Sequence, residues 1–181
     1  MNMLFILTKA FFPDGKLLDR DVIKEEVFFK KINYFFDKVE KITGKKVVIA
    51  ASPKHLYRGF EYSGREIVYN RTAELAYYCD LAIAHTTAAV HFAVAAYKPI
   101  LFLRFQEFNE FLVEEAEVLA SALNKKILNI EEDFDVAKLE DFSRVDREIY
   151  KSYIDNYMAR EVFEVSPAEI MVEALKKCDG I

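Results

Sequence analysis

Val47-Val48-Ile49-Ala50-Ala51 is an unbroken apolar run, closed by Ser52-Pro53. A strand with one wet face alternates apolar and polar residues, whereas a strand covered on both faces does not. The run therefore predicts a buried strand of a parallel sheet. Leu81-Ala82-Ile83-Ala84 reads the same way, and His85-Thr86-Thr87 follows it, turning directly into a helix over residues 88–97. Outward from this pair, residues 3–8, 67–69, 99–103 and 126–128 read as further strands. Between them lie helical patterns. Over residues 21–43, Val22, Ile23, Val27, Phe28, Ile32, Phe35, Phe36, Val39 and Ile42 recur near a 3.6-residue period. Asp19 or Asp21 is the cap expected for that helix, and Gly44 its left-handed stop. Thr72 is expected to cap a helix over 73–79, and residues 107–124 form an amphipathic one.

Strand and helix alternate from residue 45 to 128, which predicts an α/β fold: a Rossmann-like three-layer sandwich with a mainly parallel sheet. Beyond Glu131-Glu132-Asp133 the pattern is helical over 136–142, 145–157 and 167–177, with Ser166-Pro167 as a helix start. Residues 1–181 are expected to form a single domain, with a helical tail from about 134 to 181 packed back over the sheet.

Composition narrows the function. Hydrophobic residues make up 52% of the 181, which excludes a disordered chain. The net charge of −5 argues against a nucleic-acid partner. With only 5 glycines, the chain has neither GxGxxG nor GxxxxGK[ST]. Cys79 and Cys178 have no CxxC partner and no zinc-type spacing, so no metal site is expected, and a reducing cytoplasmic location is. Lys9 interrupts the apolar start, leaving no signal-type core. The longest apolar stretch, 81–97, carries His85, Thr86, Thr87 and His91 and reads as strand then helix. No integral membrane segment is expected.

Two strand ends carry chemistry. Ligands of open parallel sheets bind outside the carboxyl ends of the strands. At Thr86 and Thr87, two hydroxyls sit where free helix amides and the helix dipole favour an anion. Threonine is also a common N-cap, and such a helix start needs no ligand. After residue 51, Ser52 offers a hydroxyl, Lys54 a point charge and His55 a titratable ring; a solvated loop accounts for the same residues. Arg58, Arg65 and Arg71 add positive charge that suits a phosphorylated ligand or lies on a solvated face. Glu74, beside Thr72 at a helix start, either complements the dipole or accepts ribose or sugar hydroxyls. His91 reads as a packed core histidine, and Cys79 has no partner that would make it a nucleophile. An exposed Phe/Tyr stripe on helix 21–43 would mark a dimer or partner surface.

Several short pieces, in this order and spacing, resemble one family. They are Ile49-Ala50-Ala51-Ser52-Pro53-Lys54, Thr72-Ala73-Glu74-Leu75, His85-Thr86-Thr87-Ala88, Lys98-Pro99-Ile100-Leu101-Phe102, and the tail from Tyr150 to Tyr157. Together they are similar to the nucleotide-sugar-binding half of GT-B glycosyltransferases, above all to bacterial capsule and surface-polysaccharide biosynthesis proteins and the polysialyltransferase-like group. The resemblance implies a nucleotide sugar as donor substrate, no other cofactor and no required metal. It implies nucleotide or phosphate contacts from Ser52, Lys54, His55, Thr72, Glu74, His85, Thr86 and Thr87. The relatives read His-Pro where this chain reads Ser52-Pro53, with His55 three residues on. A GT-B site lies between two Rossmann-like domains, so the resemblance implies that a partner chain or homodimer supplies the acceptor half. The alternative is a non-catalytic binding or assembly module that keeps the fold.

Overall fold

A computed structural model describes residues 3–6, 23–51 and 56–158. Ser52, Lys54, His55, Asp19, Asp21, Cys178 and the helix expected over 167–177 lie outside the described residues. Six strands form one sheet: β1 Met3–Ile6, β2 Val47–Ala51, β3 Ile67–Tyr69, β4 Leu81–Ala84, β5 Ile100–Arg104 and β6 Ile127–Asn129. Their order is β3-β2-β1-β4-β5-β6, and every pairing is parallel. Six described helices accompany them: α1 Glu25–Thr43, α2 Thr72–Tyr78, α3 Val90–Ala95, α4 Glu110–Ala122, α5 Val136–Ser143 and α6 Arg147–Tyr157.

The fold is a Rossmann-like α/β sandwich. Side chains leave a strand on alternate faces, and two cores result. Val47, Ile49, Ile83, Leu101, Leu103 and Leu128 join α1, Phe105, Phe134 and Leu139 on the first face. Ala50, Ala82, Ala84, Ile100 and Phe102 join α2, α3 and α6 on the second. The chain winds from β1 through β2 to β3 in one direction, then crosses back to lay β4, β5 and β6 on the other side of β1. Crossovers between parallel strands keep one hand, so reversing the winding direction moves the helices to the opposite face. That rule accounts for α1 on the first face and for α2 and α3 on the second. The helical tail divides between them, with α5 on the first face through Leu139 and α6 on the second through Tyr150 and Tyr153.

Local chemistry fixes the helix ends. Asn109 caps α4 by accepting from the Leu112 N–H at 3.0 Å, and Asp135 caps α5 from the Lys138 N–H at 2.8 Å. Asp146 accepts from both Glu148 and Ile149 at the start of α6. Gly44 ends α1 at φ 68, and its N–H reaches the Glu40 carbonyl at 2.9 Å. Lys125 closes the other end of α5, donating to the Ser143 carbonyl at 3.2 Å and to that of Arg144.

The structure corrects four sequence expectations. Helix α1 begins at Glu25, not residue 21, and Lys24 at its N-cap makes no side-chain cap. The main stripe of this helix is not an exposed surface: Phe28, Ile32, Phe35, Phe36 and Val39 are fully buried against the sheet, and only Tyr34, on the outer side, is largely exposed. At α2 the N-cap is Arg71, not Thr72, and no side chain caps it. Helix α3 begins at Val90 rather than residue 88, because a turn intervenes in which Thr87 accepts from the Ala89 and Val90 amides.

Candidate functional site

The reversal of winding falls between β1 and β4. In a doubly wound sheet this switch leaves a crevice at the carboxyl edge, since the two adjacent connections depart to opposite faces. Residues 85–89 form the β4 side of that crevice. Ala51 ends β2 on the same edge, because β2 and β4 both run parallel to β1. Ser52, Lys54 and His55 follow Ala51 in sequence.

His85 leaves β4 toward the first core. It is 0% exposed and stands against the rings of Phe28, Phe105 and Phe108, with centroids 5.9, 6.2 and 5.2 Å away. Burial pushes its pKa down to about 3, so the ring is neutral at physiological pH. A ring sealed in this way packs with the aromatic residues of the first core. The sequence reading missed this, since Phe28 and Phe105 reach His85 only through the folded layers.

Thr86 is 6% exposed, and its Oγ1 is buried with no hydrogen-bond partner among the described residues. Buried hydroxyls are normally paired, and this one stands just beyond the carboxyl end of β4. Thr87 is different. Its Oγ1 accepts from the Ala89 N–H at 3.2 Å, a local turn that holds the loop and occupies one of the amides expected to face an anion. A cleft of about 460 Å³ opens beside the pair, lined on the α3 side by Thr86, Thr87 and His91 and on the α4 side by Phe111, Glu114 and Glu115. His91 is held from behind: its Nε2 lies 2.9 Å from the Tyr153 hydroxyl on α6.

Thr72 and Glu74 sit at the start of α2, following β3. Glu74 is committed to Arg71, whose Nε donates to it at 2.7 Å, and this hydrogen bond holds the Glu74 carboxyl below the usual carboxylate range. Arg65 is likewise engaged. Its guanidinium meets Asp37 at 2.5 Å and Glu40 at 2.9 Å, with Asn33 at 3.1 Å, and pins residues 56–66 to α1. The positive patch read from Arg58, Arg65 and Arg71 is therefore largely neutralised by internal partners. Cys79 donates to the Ala76 carbonyl, and burial pushes its thiol up to about 11, away from nucleophilic use.

Among the described residues, no group of three or more His, Cys, Asp or Glu side chains could hold a metal ion. No described helix is long and apolar enough to cross a membrane.

No protein-family model matches the chain, and no curated protein matches it. Among solved structures, the chain is similar to one titled Spinosyn Forosaminyltransferase SpnP, at 16% identity and a TM-score of 0.49. The match covers 99% of this chain and 44% of that one, so the chain spans less than half the length of that protein.

Proposed function

We propose that the chain is a glycosyltransferase-type domain that binds a nucleotide-activated sugar at the β1/β4 switch point, on a path to surface polysaccharide. The observation that carries this reading is the buried, unpartnered Thr86 hydroxyl at the carboxyl edge of β4. A phosphate or ribose oxygen there would complete its hydrogen bonding in a site sheltered from water, where such a bond is strong. Lys54 and His55, following β2 on the other side of β1, would meet the donor phosphates, and Ser52 and Thr87 would line the approach. Transfer would rest on stabilising the charge of the departing nucleotide, not on an acid supplied by the sealed His85. The acceptor half would come from a partner chain or a second copy. The buried free thiol of Cys79 suits a cytoplasmic setting.

Isothermal titration with CMP, UDP and CDP, free and sugar-linked, tests the reading. One of them binds at millimolar affinity or tighter, and Thr86→Val weakens it about tenfold, the loss of one buried hydrogen bond. Absence of binding by all six ligands would overturn it.

A second reading, a binding or assembly module without transferase activity, is favoured by one feature. The cleft beside Thr86 carries Glu114 and Glu115 and no lysine or arginine among its described lining. Among the described lining, only His91 could offset the charge of a leaving phosphate. Under this reading the sugar nucleotide binds but is neither hydrolysed nor transferred when candidate partner chains are added.

A further inference from the structure

A second and larger hollow lies away from the switch point. It is a trough of about 990 Å³ along the outer side of α1, walled by residues 60–63 on one side and 130–133 on the other. Tyr34 and Phe60 line it, and each is 70% exposed. Phe29 is half-buried between them and the core, with its ring edge-on to Tyr62 at 5.1 Å. Large aromatic side chains gain little in water, and exposed clusters of them inside a concavity mark contact surfaces. The walls are braced: Lys31 bridges Glu107 and Glu131, and Lys38 pairs with Asp133 at 3.1 Å beside the Phe134 ring. The trough is therefore preformed rather than dependent on closure.

Its charge is one-sided. Seven carboxylates line it against three lysines. Four of the carboxylates are neutralised in place, Glu131 by Lys31, Asp133 by Lys38, Asp37 by Arg65 and Glu132 by Lys138, whereas Glu25 and Glu26 have no ion-pair partner among the described residues and carry the excess negative charge at one end. The resulting negative field repels nucleic acid and anionic lipid surfaces. It also repels a second copy of this chain, whose net charge is −5. A neutral glycan would stack on the two rings but gain nothing from the carboxylates. The ligand that gains from both features carries apolar side chains for the rings and cations for the rim.

We propose that this trough docks a basic amphipathic helical segment of a partner protein, its apolar stripe between Tyr34 and Phe60 and its lysines or arginines against Glu25 and Glu26. This is helix-in-groove recognition, with aromatic anchors supplying affinity and rim charges supplying orientation and association rate. The proposal is independent of nucleotide binding at Thr86.

Fluorescence anisotropy with a labelled 14-residue Leu/Lys amphipathic peptide, about the length needed for four helical turns, tests it on the full chain. The expected result is micromolar binding that Tyr34→Ser/Phe60→Ser weakens about tenfold or more. Glu25→Gln/Glu26→Gln and added salt weaken it further. Val118→Ser, an exposed apolar change on α4, leaves it unchanged. Both trough positions are highly exposed, and circular dichroism verifies that the double variant stays folded. Failure to bind would overturn the proposal, as would binding indifferent to Tyr34→Ser/Phe60→Ser or equal binding of a Leu/Glu peptide. Displacement of the peptide by maltoheptaose would assign the trough to a glycan instead. Self-association by sedimentation that Tyr34→Ser/Phe60→Ser abolishes would assign it to a second copy. Each of these two outcomes also overturns the proposal.

Discussion

Ile49 and Ile83 flank the same residue of β1, Phe5, from its two sides. The register aligns β2 and β4 along the sheet, so the two strands run out of it at nearly the same level. They stand two strand spacings apart, about 10 Å. The carboxyl ends of β2 and β4 therefore lie side by side across β1, and Thr86 follows one of them.

Thr86→Val separates binding from folding. The substitution keeps the shape and removes an oxygen that has no described partner. Deleting such a group leaves the melting temperature unchanged or raises it by up to about 3 °C. Differential scanning calorimetry without nucleotide checks this. A drop of similar size would mean that Thr86 already has a partner within the chain.

His85 makes stability depend on pH in a definite direction. Its folded pKa lies near 3, below its ordinary value of 6.5, so between these limits the unfolded chain takes up a proton that the folded chain refuses. The contribution is complete above about pH 6.5. It is lost as pH falls toward 3, at a limiting slope of about 1.4 kcal/mol per pH unit. Urea titrations from pH 7 to 5 should show a shallower loss in His85→Leu than in the parent. Parallel profiles would show that His85 charges freely in the folded protein.

Arg65 holds residues 56–66 against α1 through Asp37 and Glu40, with its own side chain only 7% exposed. Arg65→Met keeps an apolar chain of similar length but removes the guanidinium from over the Phe36 ring and leaves Glu40, itself 16% exposed, without its cation. The expected cost is about 3 kcal/mol. Chemical denaturation measures it, and a change below about 0.5 kcal/mol would show the network to be solvent-screened.

Gly44→Ala isolates backbone strain. A Cβ at Gly44 would meet nothing within 4 Å, yet φ is +68. The loss should be about 1 kcal/mol, from the left-handed conformation alone. A neutral result in urea denaturation would mean that α1 ends elsewhere without penalty.

The layered fold was legible because its signals are local. The unbroken apolar runs at Val47–Ala51 and Leu81–Ala84 matched β2 and β4 residue for residue. Gly44 stopped α1 where a left-handed residue was needed. Helix starts were less legible, because threonine offers two outcomes: Thr87 spent its hydroxyl on a turn, and Thr72 yielded the cap position to Arg71. What sequence did not reveal depends on distant partners. Arg65 is 28 positions from Asp37, and the aromatic box of His85 draws on α1 and on the segment after β5. The trough is formed by three segments that share no motif, so no single stretch announces it. The roles of Ser52, Lys54 and His55 rest on sequence alone.

The outermost strands, β3 and β6, are three residues long each. A neighbouring chain approaching either flank finds only a few free backbone amides and carbonyls on which to register. Short edges of this kind deny fibrillar growth its template.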